Sequence, residues 1–186
     1  MQRIILIGPM GSGKTTIGKL IAASIGYEFI DSDREIEERT GVSIPTIFDY
    51  EGEEGFRDRE SHVLDELTQR EGIVLATGGG AVLRPQNRTV LSERGFVVYL
   101  KVSVRVQLMR TSKDKNRPLL QTENPKKTLT EMAKIRAPLY EETADFSINT
   151  DHIRTKALKA RIIKAYERDA QIQAKALSRL KTQANT

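Results

Sequence analysis

The sequence predicts an α/β fold: one five-stranded parallel sheet flanked by helices. Three observations point to it. Short β-branched runs alternate with stretches of helical period along the chain. The strand candidates lack a clean polar alternation, as strands covered on both faces do. The first of them runs directly into a glycine-rich turn that opens a helix. The 186 residues suffice for one domain with a core of its own.

The strands are placed at Arg3–Ile7, Glu28–Asp31, Ile73–Ala76, Val97–Lys101 and Phe146–Asn149. After the glycine-rich turn, Ile17, Leu20, Ile21 and Ser24 share a helix face, and Gly26 stops that helix. Ser32 stands three residues before Glu35, a capping box for a helix that stops at Gly41. A longer helix spans Glu54 to Arg70, with Phe56, Val63, Leu64 and Leu67 inward. Asn124 and Pro125 read as N-cap and first residue of a helix that Pro138 ends or kinks. From Asp151 onward Ile153, Leu158, Ile162, Ile163 and Tyr166 keep helical spacing, and beyond Ala170 the pattern turns polar and should fray. Residues 1–170 therefore form a single domain, with 171–186 as a polar, basic tail. Between Arg110 and Asn124 the chain is polar and aperiodic, and a loop that long inside a compact domain is functional or mobile.

Bulk properties exclude several classes of function. There is no cysteine, hence no disulfide framework and no thiolate metal site. No apolar run approaches bilayer-spanning length, and the stretch Ile4–Ile7 is stopped at once by Gly8 and Pro9, so a cytoplasmic location without membrane attachment is expected. Nine Lys or Arg and two acids lie from Arg154 to Thr186, a net +7, which leaves −2 for residues 1–153 out of +5 overall. The basic excess belongs to the tail, so the body carries no nucleic-acid signature.

Gly8-Pro-Met-Gly-Ser-Gly13-Lys14-Thr15 has the spacing of a phosphate-binding loop, in the required context of strand before and helix after. Glycines let backbone N–H groups turn inward as an anion nest, and the following helix adds its positive dipole end. Gly11, Ser12, Gly13, Lys14, Thr15 and Thr16 are the expected nucleotide ligands; Lys14 reaches the β- and γ-phosphates and Thr15 offers a hydroxyl to Mg²⁺. There is no Asn-Lys-x-Asp guanine-reading motif and no apolar strand ending in Asp-Glu, so by elimination a small-molecule phosphotransferase is favoured over a regulatory GTPase or a motor.

Beyond the loop, the chain carries Asp31-Ser-Asp33, Gly55-Phe-Arg57 with Glu60, Gly78-Gly79-Gly80, Arg117-Pro-Leu-Leu120 and Arg136-Ala-Pro-Leu-Tyr140. In this order and spacing they resemble the shikimate kinase family, over Met1 to about Ile153. The resemblance implies a P-loop fold like that of nucleoside-monophosphate kinases, with a lid at about 110–124. It implies ATP and Mg²⁺ as cofactors and shikimate as substrate, phosphorylated on the route to the aromatic amino acids. Asp31 would serve the metal with Thr15. Asp33 would bind shikimate and act as base, with favourable charge in a helix's first turn as its plainer role. Arg57 and Arg136 would grip the substrate carboxylate, Glu60 holding Arg57 in place, because planar bidentate donors suit a buried carboxylate. Gly79 and Gly80 would line the substrate site. Lys14 and Arg117 would meet the transferring phosphoryl group, with Arg117 on the lid. Arg110 would stack on adenine, with Arg154 near it. Phe48 and Phe56 either wall the substrate ring or simply pack in the core. A monomer without nucleic-acid partners is expected. The alternatives kept open are a related metabolite kinase, such as a gluconate kinase, and a nucleotide-binding protein docking through its basic tail.

Overall fold

The computed structural model describes residues 2–112 and 124–184, with side chains described to 174. All five predicted strands are present: β1 (Arg3–Ile7), β2 (Glu28–Asp31), β3 (Ile73–Ala76), β4 (Phe96–Lys101) and β5 (Phe146–Asn149). They pair in parallel in the order β2-β3-β1-β4-β5. β1 lies at the centre, and the chain winds first to one side of it and then to the other. The carboxyl end of β1 is therefore the switch point at which an open α/β sheet forms a crevice.

Both faces of the sheet are covered, which explains the missing polar alternation. Successive residues of β1 enter opposite cores: Ile5 and Ile7 pack with Leu64, Leu75, Val97 and Tyr140, while Ile4 and Leu6 pack with Ile17, Ile21, Val74 and Ile162. The second core is closed by α1 (Lys14–Ile25) and α7 (Thr155–Ala184). The first is closed by α3 (Ile44–Leu67), α4 (Pro85–Arg94) and α6 (Pro125–Thr143).

Several helix readings need correction. On α1 the buried residues are Ile17, Gly18, Ile21 and Ala22, whereas Leu20 is 42% exposed and Ser24 also faces outward. The inward stripe is thus one residue further round than expected. Helix α2 (Ser32–Thr40) has Asp31 as its N-cap, accepting from Asp33 N at 3.2 Å, so the capping box on Ser32 is not formed. Ser32 is itself helical and buried, and its hydroxyl accepts from Gly78 N at 3.1 Å. Helix α3 begins ten residues before the predicted start, capped by Ser43, and breaks at Gly52 (φ 70°, ψ −175°). Its second half buries Phe56, Val63, Leu64 and Leu67 as predicted.

Helices α4 and α5 (Val104–Thr111) have no counterpart in the prediction. Both are short and bury few side chains, α4 only Asn87 and Leu91, so the period is too weak to read. Arg110 consequently lies in the last turn of a helix rather than at the start of a loop. Pro138 does not end α6, which continues to Thr143 because Tyr140 and Thr143 are buried on the sheet side. Nor does α7 fray at Ala170; its backbone stays helical to Ala184.

Candidate active site

The glycine-rich loop leaves β1 at the switch point and enters α1 at Gly13. Gly8, Gly11 and Gly13 have φ of 139°, 73° and 94°, values that a Cβ disfavours and glycine adopts freely, as an anion nest requires. Lys14 folds back over the loop, donating to the carbonyls of Gly8 (2.6 Å) and Pro9 (3.0 Å). Ser12 is buried, and its Oγ has no hydrogen-bond partner among the described residues. Thr15 Oγ1 donates to Asp31 Oδ2 at 2.9 Å, so the loop's hydroxyl and the acid at the end of β2 stand side by side. Thr16 is exposed in the first turn of α1.

Between β1 and β2, β3 ends in Thr77 and the three glycines. They are narrow for a visible reason. A Cβ on Gly78 would come within 2.5 Å of Asp33 Oδ1 and 2.6 Å of Glu60 Oε1, and a Cβ on Gly80 would collide with the Arg57 guanidinium. Gly79 touches the phosphate loop itself: its Cβ position is 3.6 Å from Met10 N and 3.8 Å from Arg136 Nη1. The phosphate nest and the second pocket therefore share a wall.

The charges of that pocket are unusual. Arg57 and Glu60 are both buried and paired at 2.7 Å, and Glu53 accepts from Arg57 Nη2 at 3.1 Å and from Nε at 3.4 Å. Burial lifts Glu60 above the usual carboxylate range even with Arg57 beside it. Burial, and then the negative charges of Glu60 and Asp31, push Asp33 up to about 7, against the pull of Lys14 and Arg57. Asp33 Oδ1 and Glu60 Oε1 are buried oxygens with no hydrogen-bond partner among the described residues. Arg136, from α6, donates to the Gly79 carbonyl at 3.1 Å.

The sequence-predicted residues Lys14, Thr15, Asp31, Asp33, Arg57, Gly79, Gly80 and Arg136 thus converge on one crevice. Arg110 reaches the loop from α5 but is already engaged: it donates to the carbonyl of Gly11 (2.9 Å) and to the Thr150 carbonyl (3.0 Å), tying the nest to the end of β5. Arg154 is exposed just before α7. Phe48 and Phe56 pack on each other, ring centroids 4.9 Å apart, and on the core, which is what core residues do. Arg117 lies outside the described residues, as does 113–123, most of the expected lid.

Two residues escaped the sequence reading. Glu53 had a legible signal, four residues before Arg57 on a helix. Tyr140 closes the Arg136-Ala-Pro-Leu-Tyr140 motif, and its hydroxyl reaches the Gly79 carbonyl, 61 residues away in sequence, a contact that no local period reveals.

A phosphate nest at the switch point, facing a pocket with a buried acid and two arginines, defines a P-loop phosphotransferase. Comparison with known proteins narrows the class. The shikimate kinase family model matches residues 10–167. The shikimate kinase of Thioalkalivibrio sulfidiphilus is 60% identical over 165 residues, which are 89% of this chain and 87% of that protein. That of Methylococcus capsulatus is 57% identical over 167 residues, covering 90% and 93%. Among solved structures, shikimate kinase from Acinetobacter baumannii in complex with shikimate superposes with a TM-score of 0.86 at 53% identity, covering 88% of this chain and 92% of that one. A gluconokinase from Sinorhizobium meliloti, at 18% identity and a TM-score of 0.57, shares the fold alone. The chain belongs to the shikimate kinase family.

Proposed function

We propose that the chain transfers the γ-phosphoryl group of ATP to the 3-hydroxyl of shikimate, giving shikimate 3-phosphate and ADP. The observation that carries this reading is the buried Asp33 Oδ1, without a hydrogen-bond partner among the described residues and set between the phosphate nest and the Arg57–Glu60 pair. An acceptor hydroxyl donating to that oxygen would satisfy it and lie beside the transferring group.

The nest amides, Lys14 and the Thr15 end of α1 hold the phosphates. Arg57 and Arg136 take the substrate carboxylate, and the peptide groups of Gly79 and Gly80 line the pocket. In the transfer, the substrate oxygen forms its bond to phosphorus as the bond from phosphorus to the ADP oxygen breaks, and Asp33 receives the hydroxyl proton. The transition state is loose, so positioning and charge neutralisation supply most of the acceleration. Lys14, and Arg117 from the segment 113–123, neutralise charge on the phosphoryl group.

The residues present fit Mg²⁺. Thr15 Oγ1 and Asp31 Oδ2 are hard oxygen donors 2.9 Å apart, and the ion takes most of its remaining ligands from phosphate and water. Accordingly, no cluster of three acids or histidines is needed, and none is found among the described residues. Bound there, Mg²⁺ would neutralise charge on the nucleotide's phosphates. Arg110, edge-bonded to Gly11 and Thr150, leaves its planar face for the adenine. The enzyme is further read as a cytoplasmic monomer without nucleic-acid partners.

The test is ATP consumption by the purified chain with shikimate, gluconate and nucleoside monophosphates side by side. Magnesium-dependent turnover with shikimate alone is expected. Turnover with gluconate or a nucleotide and none with shikimate would overturn the reading.

A further inference from the structure

The peptide between Gly79 and Gly80 is held from behind. Tyr140 Oη donates to the Gly79 carbonyl at 2.5 Å, and Arg136 Nη1 donates to the same oxygen at 3.1 Å. The Tyr140 ring is 2% exposed and stacks on Tyr99 of β4, centroids 4.8 Å apart and planes at 28°, so the sheet itself fixes where the hydroxyl points. Burial raises the phenol well above its ordinary value, which keeps the proton on the oxygen and the hydroxyl a donor.

A carbonyl and the next residue's amide belong to one planar unit and point in opposite directions. Fixing the Gly79 carbonyl therefore fixes the direction of the Gly80 N–H. Hydrogen bonds to the oxygen also polarise the unit and strengthen that N–H as a donor. Among the described residues the Gly80 amide has no protein acceptor. The α-carbon of Gly80 faces the Arg57 guanidinium, so close that a Cβ there would collide with it. An oriented, unspent donor beside a guanidinium is suited to a carboxylate.

We propose that Tyr140 is a positioning residue for the acceptor's carboxylate: it aims the Gly80 N–H so that this amide joins Arg57 and Arg136 as a third donor. With two donors on one carbonyl, the Tyr140 hydroxyl also keeps the peptide in place when Arg136 turns toward the substrate. This rests on the shikimate reading above and adds to it a residue that does not touch the substrate.

The experiment compares the full chain with Tyr140→Phe, which removes only the hydroxyl and keeps the ring and its stack. Steady-state rates with ATP and Mg²⁺ are measured for shikimate and for its uncharged methyl ester. One neutral hydrogen bond corresponds to roughly 5–10-fold in binding. KM for shikimate should rise by about that factor, with kcat and KM for ATP little changed and KM for the ester unmoved. The preference for acid over ester then shrinks by the same factor. An unchanged KM for shikimate overturns the proposal, as does an equal weakening of acid and ester, which would mark general loosening of the pocket. A wild-type chain that uses shikimate while Tyr140→Phe behaves identically sinks this role alone. A wild type that ignores shikimate sinks the substrate reading with it.

Discussion

Asp33 concentrates the chemistry of the site in one residue. Its raised value near 7 comes first from burial and then from Glu60 and Asp31. The carboxylate is the form that accepts a substrate hydroxyl, and it predominates above about 7. Shikimate affinity of the nucleotide-free, metal-free enzyme should therefore fall as pH drops through about 7, measured by titration calorimetry. Asp33→Asn should flatten that dependence and lower kcat by at least about 10²-fold if Asp33 is the base; a loss of only a few-fold would make it a positioner. Because the folded value lies above the ordinary 3.8, the folded state holds this proton more tightly than the unfolded chain, and stability declines as pH rises through the interval between them. The phosphate-loop residues were legible because phosphate binding demands glycines, a lysine and a hydroxyl at fixed spacing, whereas Asp33, Arg57 and Arg136 were singled out by resemblance to a family. What Tyr140 and Glu53 do was not legible, since their roles depend on a peptide orientation and on which edge of a guanidinium is already taken.

Each element's existence was easier to read than its facing. The strands were placed within one residue because β-branched runs bounded by glycine or charge leave little freedom. Helix α1 shows where periodicity gives way to packing. Leu20 fits an apolar stripe by spacing, yet the approach of α1 to the sheet selects Ile17, Gly18, Ile21 and Ala22, with Gly18 close enough to Phe29 that a Cβ would meet its ring at 2.5 Å. The corrected face makes a direct prediction. Ile21→Ala, at a fully buried position, should cost about 2–5 kcal/mol, whereas Leu20→Ala next to it should cost under about 1 kcal/mol. Urea unfolding of both variants checks this, and equal losses would contradict the assigned face. The capping of α2 teaches a related lesson: Asp31 and Ser32 are both good caps by composition, and Ser32 is diverted to Gly78 because the β3 turn needs an acceptor there.

At the scale of the molecule, the parallel order β2-β3-β1-β4-β5 places the ends of β1, β2 and β3 on one edge, so that three short, distant motifs become one site. The C-terminal extension stands apart from this arrangement. The buried contacts of α7 run through Leu158, Ile162 and Tyr166, whose hydroxyl lies 3.0 Å from that of Tyr27, and the family match stops at residue 167. A chain ending at Ala170 should keep kcat and both KM values; lost turnover would give the basic tail a catalytic part. The central claim, that a triphosphate nest faces a pocket in which Arg57 and Arg136 clasp an organic acid over Asp33, is tested most directly by a crystal structure with ADP, Mg²⁺ and shikimate. The carboxylate should lie on both guanidinium groups and a ring hydroxyl on Asp33 Oδ1. Shikimate bound with its carboxylate away from both arginines, or absent from the crevice beside the nest, would contradict the account.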